Sequence, residues 1–142
     1  MNMLIQSKIL VPVDFSEQSL VAVDVALGIV KDPSNVHVVH ILREPQSGHP
    51  DAIWVTIDHA KRREHAMNEL RNRMSDQRYE AVSRYVEFGD PGVRIAELAQ
   101  ELGAGLIVLP SHGRTGFKRL LIGSVAERVV RCAHCPVLVL RE

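Results

Sequence analysis

Five short apolar runs recur along the chain, and segments with helical periodicity separate most of them. That alternation limits the possible folds more than any single motif does. Lys8 to Val13 (KILVPV) is apolar on both faces, as a parallel strand buried between two layers must be. Ser16 is placed to cap a helix with Leu20, Val23, Leu27 and Val30 along one face. Asn35 to Leu42 (NVHVVHIL) is the second strand, and the proline- and glycine-bearing stretch from Arg43 to Asp51 reads as a surface loop. A long helix is predicted from Ile57 to about Gln77, with Ala60, Met67, Leu70 and Met74 facing inward. Ala81 to Phe88 is the third strand. Asp90 then caps a helix that starts on Pro91, presents Ile95, Leu98, Ala99 and Leu102 to the core, and stops at Gly103. Leu106 to Leu109 is the fourth strand, Ser124 to Arg131 begins the last helix, and Pro136 to Leu140 is the fifth strand.

Strand and helix in regular alternation predict an α/β fold: one doubly wound open sheet of five parallel strands, order 3-2-1-4-5, with helices on both faces. The 142 residues fit a single domain. Sheets of this kind bind ligands beyond the carboxyl ends of their strands, where the winding direction reverses. Here that point lies between strands one and four. Their exits are Val13-Asp14-Phe15-Ser16 and the glycine-rich stretch from Pro110 to Ser124, so two polar segments face one crevice.

Seventeen Lys and Arg balance seventeen Asp and Glu, which gives no case for a nucleic-acid or anionic-membrane partner. The charges between Asp58 and Glu80 mix both signs, as a solvated helix face does. No apolar run approaches the roughly eighteen residues that a membrane span needs. The opening MNMLIQSKIL has neither a basic lead-in nor a small-residue cleavage site, and the two cysteines suit a reducing compartment, so a cytoplasmic location is expected.

Gly113 and Gly116 can turn successive backbone N–H groups toward an anion, and Gly123-Ser124 opens the final helix, where free N–H groups favour negative charge. Arg114, Lys118 and Arg119 are within reach to offset phosphate charge. The same spacing serves equally as an ordinary glycine-rich connection with Ser124 as its helix cap. Asp14 suits either a ribose hydroxyl or a turn. Neither GxxxxGK[ST] nor a GxGxxG after the first strand occurs, which excludes a P-loop and counts against a dinucleotide dehydrogenase.

The pair in Cys132-Ala133-His134-Cys135 follows a helix instead of opening one, so the dipole that activates redox thiols is missing and a structural role is expected. His37 and His40 point to opposite faces of a strand and cannot chelate together. His40, near the strand exit, either lines the pocket or packs beside it, and His112 is read as polar lining of the loop. His49, His59 and His65 are expected to face solvent. No nucleophile–base–orienter set is evident, so no catalytic residue is assigned.

Three stretches resemble the universal stress protein family: KILVPVDFSEQS at the first strand, Gly113 followed by nine residues and then Gly123-Ser124, and CPVLVL in the last strand. The resemblance spans nearly the whole chain. It implies a cytoplasmic, usually dimeric protein that binds ATP or a related adenine nucleotide, commonly with Mg2+ or Mn2+. By the same resemblance Pro12, Val13 and Asp14 hold the adenosine portion, Ile41 lines the adenine pocket, and Gly113, Gly123, Ser124 and Val125 bind phosphates. Dimers of the family pair their last strands, which would cover the edge offered by Val137 to Leu140.

The family's distal signature begins with a glycine where this chain has Pro110. Proline has no N–H, so an approach through that amide is lost while the carbonyl remains. Losing one such hydrogen bond lowers affinity by about 0.5–1.5 kcal/mol without abolishing it. The leading expectation is therefore a module whose nucleotide occupancy tunes contact with a protein partner of unknown identity. The alternatives are a scaffold whose pocket Pro110 has closed and, behind both, a slow ATPase.

Overall fold

Why the ligand crevice lies where it does follows from how the five strands pair. The computed structural model describes residues 6–44, 52–113 and 122–141. In chain order these form β1 (Ile9–Pro12), α1 (Glu17–Ile29), β2 (Val36–Leu42), α2 (Ala52–Arg73), β3 (Ser83–Phe88), α3 (Pro91–Leu102), β4 (Leu106–Pro110), α4 (Ser124–Cys132) and β5 (Val137–Leu140). All strand pairs are parallel, and the sheet order is β3-β2-β1-β4-β5, as the alternation predicted.

Side chains alternate along β1 into two separate cores. Ile9 and Val11 pack on one face with Ala22, Val23 and Ala26 of α1, with Ala66 and Leu70 of α2, and with Met74 just beyond it. Leu10 packs on the other with Ile95, Leu98 and Ala99 of α3 and with Ala126 and Val129 of α4. This accounts for the unbroken apolar character of KILVPV: a strand buried on both sides has no polar face to offer. Each fully buried aliphatic side chain contributes about 1.5–3 kcal/mol relative to exposure, so Ile9, Leu10 and Val11 anchor β1 firmly in the sheet.

Local signals set most boundaries as expected. The Ser16 side chain accepts from Ser19 N and caps α1, and Asp90 accepts from Val93 N and caps α3 with Pro91 in its first turn. Gly103 ends α3 in the left-handed conformation at φ 68°, which glycine adopts without strain.

Several expectations need correction. Helix α2 starts at Ala52 and stops at Arg73, because Asp76 caps a short 3-10 turn over Gln77–Tyr79. Ala60 is exposed, and the inner positions of α2 are Ala66 and Leu70, with Met67 beside them and Met74 buried just past the helix end. In α1 the deepest positions are Ser19, Ala22, Val23 and Ala26, small side chains that let the helix lie close to the sheet, while Leu20 and Leu27 sit at the margin. His59 does not face solvent; it is half-buried and stacks on Phe88 with ring centroids 4.4 Å apart. His65 is exposed, and His49 lies outside the described residues. No helix among the described residues is long and apolar enough to cross a membrane.

A buried imidazole makes the fold sensitive to acid. Burial, and then the charge of Lys8, hold the His37 pKa below its ordinary value; its Nδ1 lies 3.0 Å from the Tyr85 hydroxyl and its Nε2 is buried without a partner. The native state therefore favours neutral His37, and this contribution is complete above the unfolded pKa of about 6.5 and lost as pH falls below it. Urea midpoints should drop between pH 7 and pH 5.5, and the drop should be smaller in His37→Gln, as read by circular dichroism.

Candidate functional site

Strands β1 and β4 pair only at Ile9–Leu106 and Leu10–Ile107, although β1 continues to Pro12 and β4 to Pro110. Beyond Leu10 the two strands make no further ladder pairing with each other. Backbone groups alternate in direction along a strand. The N–H of Val13 goes to Val39 O of β2, and those of Ile107 and Ser111 go to the β5 side, at Pro136 O and Leu140 O. The intervening positions, 12 and 110, therefore direct their backbone toward the opening between β1 and β4. Both are prolines, so neither has an N–H with which to close it, and both present carbonyls to it.

A crevice of about 550 Å³ occupies this opening, within the usual range for small-molecule sites. Of the residues singled out in the sequence, Pro12, Val13, Asp14, Ile41, Pro110, Gly113, Gly123, Ser124 and Val125 all line it. Arg114 lies outside the described residues, as do Gly116, Lys118 and Arg119. The Pro110 ring is part of the wall and does not fill the space. The wall also includes Val39, His40, Arg43, Pro91, Ile95 and Leu109. Arg43, Pro91 and Ile95 were missed in the sequence because no local pattern marks them; α3 and the end of β2 reach the crevice only through the tertiary fold.

Asp14 fulfils the turn role and also lines the crevice. Its Oδ1 accepts from the backbone N and the Oγ of Ser16, while Oδ2 lies against Gly113. A Cβ at Gly113 would stand 2.9 Å from that oxygen, so a side chain there would displace the carboxylate. His40 also lines the pocket. Its Nδ1 lies 2.7 Å from Val13 O, and since a carbonyl only accepts, Nδ1 carries the proton. Burial lowers the His40 pKa, against the opposing pull of the Val13 carbonyl and Asp14.

At the other end of the crevice the helix cap is Gly123, not Ser124, and no side chain hydrogen bonds to the first turn of α4. Gly123 N donates to Ser111 O, so that amide is committed within the chain. The α4 ladder begins with Glu127 N to Gly123 O, which leaves the amides of Ser124, Val125 and Ala126 in the first turn, where a helix has no acceptor of its own. Those groups and the helix dipole favour an anion. A Cβ at Gly123 would lie 3.1 Å from Ser111 O, which accounts for glycine at that close approach. His112 Nδ1 is 3.2 Å from Ser111 Oγ.

Cys132 and Cys135 are free thiols, and burial pushes the Cys135 thiol pKa up, opposite to what a reactive cysteine requires. Among the described residues no group of three His, Cys, Asp or Glu side chains could hold a metal ion.

The model of the Universal stress protein family matches residues 7–141. The chain belongs to the universal stress protein family. Universal stress protein MJ0531 of Methanocaldococcus jannaschii is 34% identical over 140 residues, covering 95% of this chain and 82% of that protein. The solved structure of MJ0577 superposes on this universal stress protein with TM-score 0.75 at 28% identity, covering 97% of each chain. A universal stress protein crystallised in complex with cAMP gives TM-score 0.62 at 27% identity, covering 93% of this chain and 94% of that one.

The contact between Gly113 and Asp14 gives a direct test. Gly113→Ala should displace the Asp14 carboxylate and weaken binding of any ligand that hydrogen-bonds to it by about tenfold, while Tm changes by only a few degrees. Calorimetric titration beside a melting curve separates the two effects.

Proposed function

We propose that this universal stress protein binds ATP or a related adenine nucleotide in the crevice between β1 and β4. The observation that carries this reading is the crevice's chemical polarity. Its strand end offers acceptors, the Pro12 and Pro110 carbonyls and the Asp14 carboxylate, and its α4 end offers amide donors. A nucleotide has the complementary order, with sugar hydroxyls and base amino groups at one end and phosphates at the other. The cAMP complex of a relative supports the choice of an adenine nucleotide.

In this pose Pro12, Val13 and Asp14 meet the sugar and Ile41 the base. Gly113, Ser124 and Val125 meet the phosphates, with Arg114 adding positive charge. Gly123 serves as the close-packed cap, its amide already bonded to Ser111. Mg2+ or Mn2+ would enter as the nucleotide's counter-ion, held by phosphate oxygens near the Ser124 hydroxyl. The protein is a cytoplasmic single-domain homodimer whose nucleotide occupancy tunes contact with a protein partner. The dimer forms along β5, an edge strand where Leu138 is 38% exposed, leaving apolar surface and unpaired backbone to cover.

Differential scanning calorimetry with ATP and magnesium tests the reading. At a hundred times Kd, Tm should rise by roughly 5–10 °C through mass action. No shift at millimolar nucleotide, with no nucleotide carried through purification, would overturn it. Pro110→Gly restores an amide facing the crevice and should tighten ATP binding by about threefold to tenfold.

A further inference from the structure

The turn from β1 to α1 has the least comfortable backbone among the described residues. Phe15 has φ 67°, the left-handed region, and it is the one non-glycine residue described there. A bulky L-residue rarely adopts this conformation unless its surroundings hold it. The contacts that hold Phe15 come from distant elements. Its ring stacks on His40 of β2, with centroids 4.3 Å apart and planes 29° apart. Its carbonyl accepts from Arg73 Nη1 at 3.2 Å, and the Arg73 guanidinium stands 5.7 Å from the ring centroid. Arg73 is the last residue of α2, and Glu69 one turn earlier fixes it through Nε at 2.8 Å.

Asp14 sits between two immobilised peptide groups, the Val13 carbonyl held by His40 and the Phe15 carbonyl held by Arg73. We infer that Arg73, with His40, clamps the β1–α1 turn in its strained form and so sets where the Asp14 carboxylate stands. Arg73 is then a positioning residue for the ligand's sugar hydroxyls, although it does not line the crevice. This rests on the reading of the crevice as a nucleotide site with Asp14 at the sugar. Without the clamp Phe15 relaxes to negative φ and the carboxylate leaves its place against Gly113. Holding a strained turn before the ligand arrives spares the ordering that binding would otherwise require.

The test uses the full chain, ATP and 2′,3′-dideoxy-ATP, which lacks both hydroxyls but keeps base and phosphates. Arg73→Met keeps the apolar stem and loses the donor and the charge. By titration calorimetry it should weaken ATP by about fivefold and leave dideoxy-ATP within about twofold of wild type. Equal weakening of both nucleotides, or no change in either, overturns the assignment. A second measurement needs no nucleotide: backbone amide exchange at residues 13–17 should be about tenfold faster in Arg73→Met, with β4 and α3 unchanged. Unchanged exchange there overturns the clamp. If the wild-type protein binds neither nucleotide, the nucleotide reading fails and the exchange comparison alone decides whether the clamp exists.

Discussion

The early end of the β1–β4 ladder is the constraint on which the rest of the structure depends. Pairing stops at Leu10–Ile107, although β1 runs on to Pro12 and β4 to Pro110. The chain also leaves the two strands in opposite directions: β1 leads to α1 on one face, and β4 leads to α4 on the other. Proline at both ends keeps the gap open chemically as well. An amide at either position would need a partner across the gap or a water, whereas a proline needs neither. The substitution that takes one amide from a ligand therefore also removes a donor from the β1–β4 boundary.

From that gap the site acquires its order. Carbonyls and Asp14 gather at the strand ends because strands finish in carbonyls and the turn to α1 requires an Asx-type acceptor. Donors gather at α4 because a helix begins with unpaired amides, and Gly123 provides no side chain to satisfy them. Gly113 lies where these two ends meet, close enough to Asp14 that only hydrogen fits in place of a side chain. Three facts of chain chemistry, none specific to nucleotides, thus converge on a cleft complementary to one.

Much of this was legible in the residues. Five apolar runs set the strand count, and their alternation with amphipathic segments made the sheet parallel, because a strand buried on both faces has no polar side whereas a crossover helix has one. Asp90-Pro91 and Gly103 bounded α3, since capping chemistry is local. What stayed hidden depended on distance or on backbone angle. Ser124 satisfied the residue preferences of a cap, but the short approach of Gly123 to Ser111 placed the cap one residue earlier. His59 lies in a polar stretch of α2, and only the end of β3 supplies the Phe88 ring it covers. Arg43 reaches the crevice from the end of β2, and Pro91 and Ile95 reach it from α3; nothing in the sequence links the two segments. The left-handed Phe15 was invisible for the same reason: at a glycine it would have been expected, at a phenylalanine nothing local announces it.

That strain can be tolerated only at a place that cannot yield. A left-handed non-glycine residue costs about 1–2 kcal/mol, a substantial fraction of the 5–15 kcal/mol by which a domain of ordinary stability stays folded. In a mobile loop the chain would simply rotate the peptide and relax. Phe15 follows β1, whose side chains are locked into two cores at once, and precedes α1, whose cap is fixed by Ser16. Neither neighbour can rotate to relieve it, and Arg73 and His40 close the remaining freedom. A strand buried on both faces and the strained residue lie close together because the first makes the second sustainable, and the carboxylate between them acquires a fixed direction.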